Sequence, residues 1–321
     1  MGTSFVLLVV TIMGIFIRTH EAQLAYDYYK FSCPFVESTV RTEMLKIFLS
    51  DISSPAAFVR LLFHDCQVQG CDASILLQSH DLSCNSEMES SRNFGVRKLD
   101  MINHIKTVLE NKCPGQVSCA DIIAMAAKES VFFTRGPEIR IPLGRKDSVM
   151  CSSSQQADAN IPGPGISLNK LLHIFTSHGM TIEESVSMLG AHTLGVGHCL
   201  NIASRLYDGN PDDQMNLGFE AHLKWKCPTR VPLTNLTFVP IDSTPIAFDN
   251  QYFKDLLMGK ALFGIDSTIA RDPLTNPIVT RFATDQDYFF KVFSSAFVKL
   301  SSTKVLTAKE GEVRRQCYRR N

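Results

Sequence analysis

Ten cysteines spread from Cys33 to Cys317 of a 321-residue chain constrain its folding more than any other feature. Their number is even, and every cross-link would force segments far apart in sequence to meet within a few ångströms. Such bridges need an oxidising compartment. The N-terminus supplies a route to one: Phe5 to Ile17 (FVLLVVTIMGIFI) is nearly all apolar but only thirteen residues long, too short to span a bilayer and the right size for a signal-peptide core. A leader over residues 1–22 is therefore expected, with Gln23 starting a single mature domain, 23–321. No later stretch has the roughly 18 uninterrupted apolar residues of a membrane span. Asn235-Leu236-Thr237 is a glycosylation acceptor, which agrees with export. Cys66 and Cys71 lack the C-x-x-C spacing of zinc sites, so disulfides remain the reading of the set.

Composition narrows the partner. Hydrophobic residues make up 45% of the chain and charged ones 20%, enough for a substantial core. Lys plus Arg and Asp plus Glu are 32 each, so no net field draws nucleic acid or an anionic membrane. A small-molecule partner is favoured.

Apolar residues recur at three-to-four spacing through Val36 to Phe48, Pro55 to His64, Leu99 to Glu110, Cys119 to Ser130, Leu168 to His178, Ile182 to Leu189, Phe248 to Met258 and Pro277 to Leu300. The one clear strand pattern is Glu138 to Leu143. With no internal repeat or low-complexity linker, the reading is an all-α unit with minor short strands. Ser53 or Ser54 can cap the second helix ahead of Pro55, and Thr181 with Glu184 forms a capping-box pattern ahead of Val186.

The stretch VRLLFHDCQVQGCDAS, residues 59–74, concentrates the chemistry. Arg60 and His64 are one helical turn apart and share a face. A neighbouring cation lowers an imidazole pKa and keeps it neutral, ready to accept a proton, while the guanidinium can stabilise charge on a reacting oxygen. After His64 come Asp65, Asp72 and Ser74, with the carbonyls of Val68 and Gly70 between them. Such hard oxygens suit calcium, or else form an ordinary acidic loop. His192 follows the Thr181 helix, and the Gly195-x-Gly197 pair beyond it lacks the strand and third glycine of a nucleotide fingerprint.

These motifs, together with Cys33-Pro34, VSCADIIAMAA at 117–127, LGRKDS at 143–148, Asn160 to Pro164, LGAHTLGVGHC at 189–199, TPIAFDN at 244–250 and Phe282 to Cys317, occur in one order along the mature chain. In this the sequence resembles the secreted plant haem peroxidases of class III. The resemblance implies a haem peroxidase fold of two helical lobes enclosing haem b. It implies His64 as the distal base, Arg60 as the distal arginine, Phe63 as the ring beside the haem, Asn93 as the amide that orients His64, His192 as the iron ligand and Asp266 as the carboxylate behind it. One calcium ion would be held by Asp65, Val68, Gly70, Asp72 and Ser74, with Glu87 acting through water. A second would be held by Thr193, Asp242, Thr244, Ala247 and Asp249. The implied disulfides are Cys33–Cys113, Cys66–Cys71, Cys119–Cys317 and Cys199–Cys227. Cys84 and Cys151 stand outside that set, as a fifth bridge or as two thiols.

The implied reaction reduces hydrogen peroxide by two electrons and oxidises phenolic or other small aromatic donors one electron at a time, with Pro162 at the donor contact. A soluble monomer in the cell wall or apoplast is expected, and the short tail Tyr318 to Asn321 favours that address over the vacuole. Departures from the family pattern are Gln67 where Phe is usual, Lys146 where Arg is common, and a segment one residue shorter between Asp242 and Thr244. A scaffold that has lost catalysis is disfavoured because Arg60, His64, Asn93, His192 and Asp266 are all present. A wall protein recruited by charge is disfavoured by the neutral balance. His20, His80, His104, His173, His178, His198 and His222 are assigned no function.

Overall fold

The computed structural model describes residues 24–78, 85–163, 165–209, 213, 215–232 and 236–321. The expected leader, Cys84 and the acceptor Asn235 lie outside them. Thirteen α-helices run through the described residues: α1 Val36–Ser50, α2 Ser54–Gln67, α3 Leu99–Glu110, α4 Cys119–Phe133, α5 Ser154–Asn160, α6 Leu168–Ser177, α7 Ile182–Leu189, α8 Cys199–Tyr207, α9 Leu217–Lys226, α10 Gln251–Leu257, α11 Gly264–Arg271, α12 Asn276–Thr284 and α13 Gln286–Ser301. The only sheet among them is an antiparallel pair, β1 Val196–His198 and β2 Phe238–Pro240, with Gly197 opposite Val239.

Two groups of helices share one continuous apolar core. In the first, α1, α2 and α3 surround α4. Every α4 residue from Cys119 to Val131 is buried, which explains why its sequence is apolar nearly all round instead of striped. In the second, α13 packs on α7 and α12, while α10 and α11 close the other side. Phe248, Phe253, Phe282, Phe289 and Phe293 fill its centre, with neighbouring ring centroids 4.7 to 5.9 Å apart. Gly190 lets the turn after α7 rest on this cluster, since a Cβ there would come within 2.5 Å of the Phe289 ring. Helices α2 and α13 meet where the groups join.

Local chemistry accounts for most boundaries. The capping box at Thr181 and Glu184 is formed. Ser53, however, makes no cap, because its hydroxyl donates to Asp51 Oδ1 at 2.6 Å. The single helix expected over Pro277 to Leu300 is broken at Asp285, whose extended backbone ends α12 and whose carboxylate accepts from Tyr288 N–H at 2.9 Å to start α13. Glu138 to Leu143 is not a strand, since its one ladder contact is the bridge between Leu143 and Ala25. The helices α5, α8, α9 and α11 escape the periodicity reading. Side-chain caps from Ser153 and Asn216 start α5 and α9.

The four implied disulfides are all present: Cys33–Cys113, Cys66–Cys71, Cys119–Cys317 and Cys199–Cys227. Cys151 is also disulfide-bonded.

Candidate active site

Helix α2 presents Arg60 and His64 together. Arg60 Nε–H donates to His64 Nε2 at 3.1 Å, and His64 Nδ1 lies 2.7 Å from Asn93 Oδ1. The amide nitrogen of Asn93 donates to the Glu87 carbonyl at 2.8 Å, which turns Oδ1 towards the imidazole. An acceptor at that position requires the proton on Nδ1, so Nε2 keeps its lone pair. Burial, and after it the Arg60 charge, bring the His64 pKa down to about 3 against the opposing Asn93 hydrogen bond. His64 is therefore a neutral imidazole whose Nε2 lone pair accepts from a guanidinium.

His192 sits in the 3₁₀ turn Gly190–Thr193 that follows α7. Its Nδ1 is 3.1 Å from Asp266 Oδ1, and the Tyr252 hydroxyl donates to that same oxygen at 2.8 Å. Asp266 lies in the first turn of α11, where the helix dipole favours an anion, and its Oδ2 is buried without a partner. Burial works against a charged His192 ring, but the Asp266 charge and hydrogen bond outweigh it and raise the pKa. With Nδ1 donating, the free lone pair is at Nε2, which forms no hydrogen bond among the described residues.

Both functional faces are recessed from bulk water. Arg60 has a large exposed area, yet burial lowers its pKa. The His192 side chain is 34% exposed, yet desolvation is the largest influence on its titration. The two facts coexist only for groups lining a deep concavity instead of facing bulk water. The Arg60 charge bears on both His64 and His192, lowering the pKa of each. Phe63 adds an apolar wall, its ring centroid 6.1 Å from Phe175 and 5.9 Å from His64.

The residues fit a haem iron at His192. The nearest acid, Asp266, is taken up by His192 Nδ1 and the Tyr252 hydroxyl, so it backs the ring instead of offering a second ligand. A metal on this single imidazole must then bring most of its ligands with it, as a haem does, and a carboxylate behind the ligand is the usual support.

The loop after α2 gathers hard oxygens. Ser74 Oγ donates to Glu87 Oε1 at 2.9 Å, Ser74 N–H to Asp72 Oδ1 at 2.9 Å, and Ala73 N–H to Asp65 Oδ2 at 3.1 Å. Asp65 Oδ1 and Glu87 Oε2 are buried with no partner. Burial, with Asp72 and Glu87 adding repulsion, pushes Asp65 far above the usual carboxylate range, while Glu87 is pushed to about 8. Val68 and Gly70 are buried on the same loop, which Cys66–Cys71 closes. Orphaned oxygens in a repelling cluster suit a bound cation, and a mixture of carboxylates, hydroxyl and carbonyls fits calcium.

The second expected set also converges. Thr193 Oγ1 donates to Asp242 Oδ2 at 2.7 Å and lies 3.3 Å from Asp249 Oδ1 and 3.4 Å from the Ala247 carbonyl. Thr244 Oγ1 donates to Asp249 Oδ1 at 3.0 Å. Burial raises Asp242 to about 6, against the Thr193 and Thr244 hydrogen bonds. The shorter segment thus still brings Asp242 to Thr193. Tyr252 and Phe263, whose ring is 5.4 Å from His192, were missed by the sequence reading. Tyr252 follows the matched stretch TPIAFDN by two residues, but nothing in its spacing points to Asp266.

A largely helical protein with one imidazole held neutral beside a guanidinium and another backed by a carboxylate has one group suited to proton transfer and one suited to holding a metal. The peroxidase family model matches residues 38–285. The chain is 48% identical over 310 residues to Peroxidase 29 of Arabidopsis thaliana, covering 95% of this chain and 91% of that protein. It is 38% identical over 300 residues to Peroxidase 12, covering 93% and 83%, and 38% identical over 305 residues to Peroxidase 57, covering 94% and 93%, both of the same plant. The chain belongs to the peroxidase family, in its plant class III branch, and is an enzyme.

Proposed function

We propose that this chain is a secreted, monomeric haem b peroxidase that carries two calcium ions and oxidises phenolic donors. The observation that carries the reading is the relay from the Glu87 carbonyl through Asn93 to His64 and Arg60, which leaves a neutral base recessed from bulk water. His192 would hold the haem iron through Nε2, with Asp266 fixing its tautomer and raising its basicity. The haem supplies two-electron reduction of peroxide and one-electron oxidation of each donor.

The chain's own residues supply the protons and the charge. His64 Nε2 takes a proton from hydrogen peroxide and returns it to the oxygen that leaves as water, while Arg60 stabilises the negative charge on that oxygen as the O–O bond opens. Asn93 keeps the imidazole in the tautomer that can do this. Asp65, Val68, Gly70, Asp72 and Ser74, with Glu87 through water, would bind one calcium directly behind His64. Thr193, Asp242, Thr244, Ala247 and Asp249 would bind the other beside His192. Pro162 would touch the donor at the recess edge. The leader expected at residues 1–22 supports an extracellular address.

The test is the visible spectrum of the purified protein, followed on adding peroxide and then guaiacol. A haem band with turnover is expected. His64→Leu should keep the band and slow the peroxide reaction by roughly 10²- to 10⁴-fold, whereas His192→Ala should alter the band itself. Near-full reactivity in His64→Leu would remove His64 from the role of base.

A further inference from the structure

Arg92 adjoins the amide that holds His64, yet among the described residues no group hydrogen-bonds its guanidinium. Its Nε is buried without a partner, and it forms no ion pair among the described residues. Other partly or fully buried arginines of this protein have their acids: Arg41 has Glu129, Arg145 has Asp121, and Arg205 has Asp213. The Arg92 carbonyl accepts from Arg60 Nη2 at 3.4 Å, which puts Arg92 on the rim of the recess. Its guanidinium lies against Gly163, directly after Pro162, where a Cβ would overlap Nη1, Cζ and Nη2. Among the described residues Arg60, the other cation here, bonds only to His64 and to the carbonyls of Arg92 and Phe94. Among the described residues this corner therefore carries two positive charges with no carboxylate on either, although the chain as a whole is neutral.

We propose that Arg92 receives a carboxylate of the donor, so that the preferred donors are phenols bearing a carboxylate. This rests on the peroxidase reading of the site. A guanidinium offers a planar fork that matches a carboxylate through two parallel N–H···O bonds, and it stacks on aromatic rings. Uncompensated charge at the mouth of a cleft also draws anions to it. A propionate of the haem is the other carboxylate within this chemistry, and the test separates the two.

Dissociation constants of 4-hydroxycinnamate and its uncharged methyl ester are measured on the haem-loaded protein without peroxide, for the wild type, Arg92→Gln and Arg92→Lys. The wild type should favour the acid by roughly three- to tenfold. Arg92→Gln should bring that ratio to about one, Arg92→Lys should keep part of it, and added salt should shrink it in the wild type. An unchanged ratio in Arg92→Gln overturns the proposal, whether or not both compounds bind more weakly. Faster haem loss to apomyoglobin from Arg92→Gln with the ratio intact also overturns it, in favour of the propionate. Guaiacol turnover by the wild type tests the underlying reading separately. No turnover together with an Arg92-dependent ratio would sink the peroxidase reading and leave the anion site standing.

Discussion

Two groups hold His64 by its two nitrogens, and the division between them sets its chemistry. Asn93 takes the proton side and Arg60 faces the lone pair. Because the active form is the neutral ring, the peroxide reaction should persist on the acid side until about pH 3 and fall below it, the value to which burial and Arg60 bring the group. Stopped-flow rates across an acid series check this, and an acid limb near the ordinary imidazole value would contradict it. Asn93→Val removes control of the tautomer and should slow the same step by roughly 10- to 100-fold. Tyr252→Phe leaves Asp266 with one donor where it had two, at a cost of about 1–3 kcal/mol of stability in denaturant unfolding. The pair Arg60 and His64 was legible because one helical turn puts them on one face. Tyr252 was not, because its link to Asp266 joins two helices that only tertiary packing brings together.

Turns, more than helices, carry the functional groups at the scale of elements. The loop from Asp65 to Ser74 keeps orphaned buried oxygens and repelling carboxylates immediately beyond His64. Without a cation, Glu87 has a folded pKa of about 8, above its unfolded value of 4.5. The cation-free protein should therefore gain stability as pH falls through that window. A calcium-loaded loop does the opposite, because protons compete with the ion. Chelation should then lower the melting temperature more at pH 7.5 than at pH 5, as read by paired melts with calcium and with a chelator. An equal loss at both pH values would remove the cation from this loop. The break at Asp285 was hidden from the sequence because apolar periodicity continues across it, and only the carboxylate cap on Tyr288 N–H shows where α12 gives way to α13.

Across the whole molecule, the long disulfides tie the ends of the chain into the first helix group. Cys119–Cys317 joins α4 to the C-terminal segment across 198 residues. Replacing both cysteines with Ala should cost up to about 5 kcal/mol in the chain-entropy model, measured by denaturant unfolding. Cys66–Cys71 closes a loop of sequence separation 5, and its value lies in shaping the loop behind His64. The two imidazoles come from different helix groups, His64 from α2 in one and His192 from the turn after α7 in the other.

The sequence by itself determined the helical class, the motifs and their order, and which residue types stand at each functional position, because helical spacing and short-range motifs are local properties. Tertiary packing decides which nitrogen of each imidazole carries the proton, that Asp242 still reaches Thr193, that Tyr252 shares an oxygen with His192, and that Arg92 has no acid beside it among the described residues. Each of these depends on contacts between residues from 6 to more than 70 positions apart, as with Asn93 to the Glu87 carbonyl and His192 to Asp266. Such contacts exist only once burial has chosen which side chains meet.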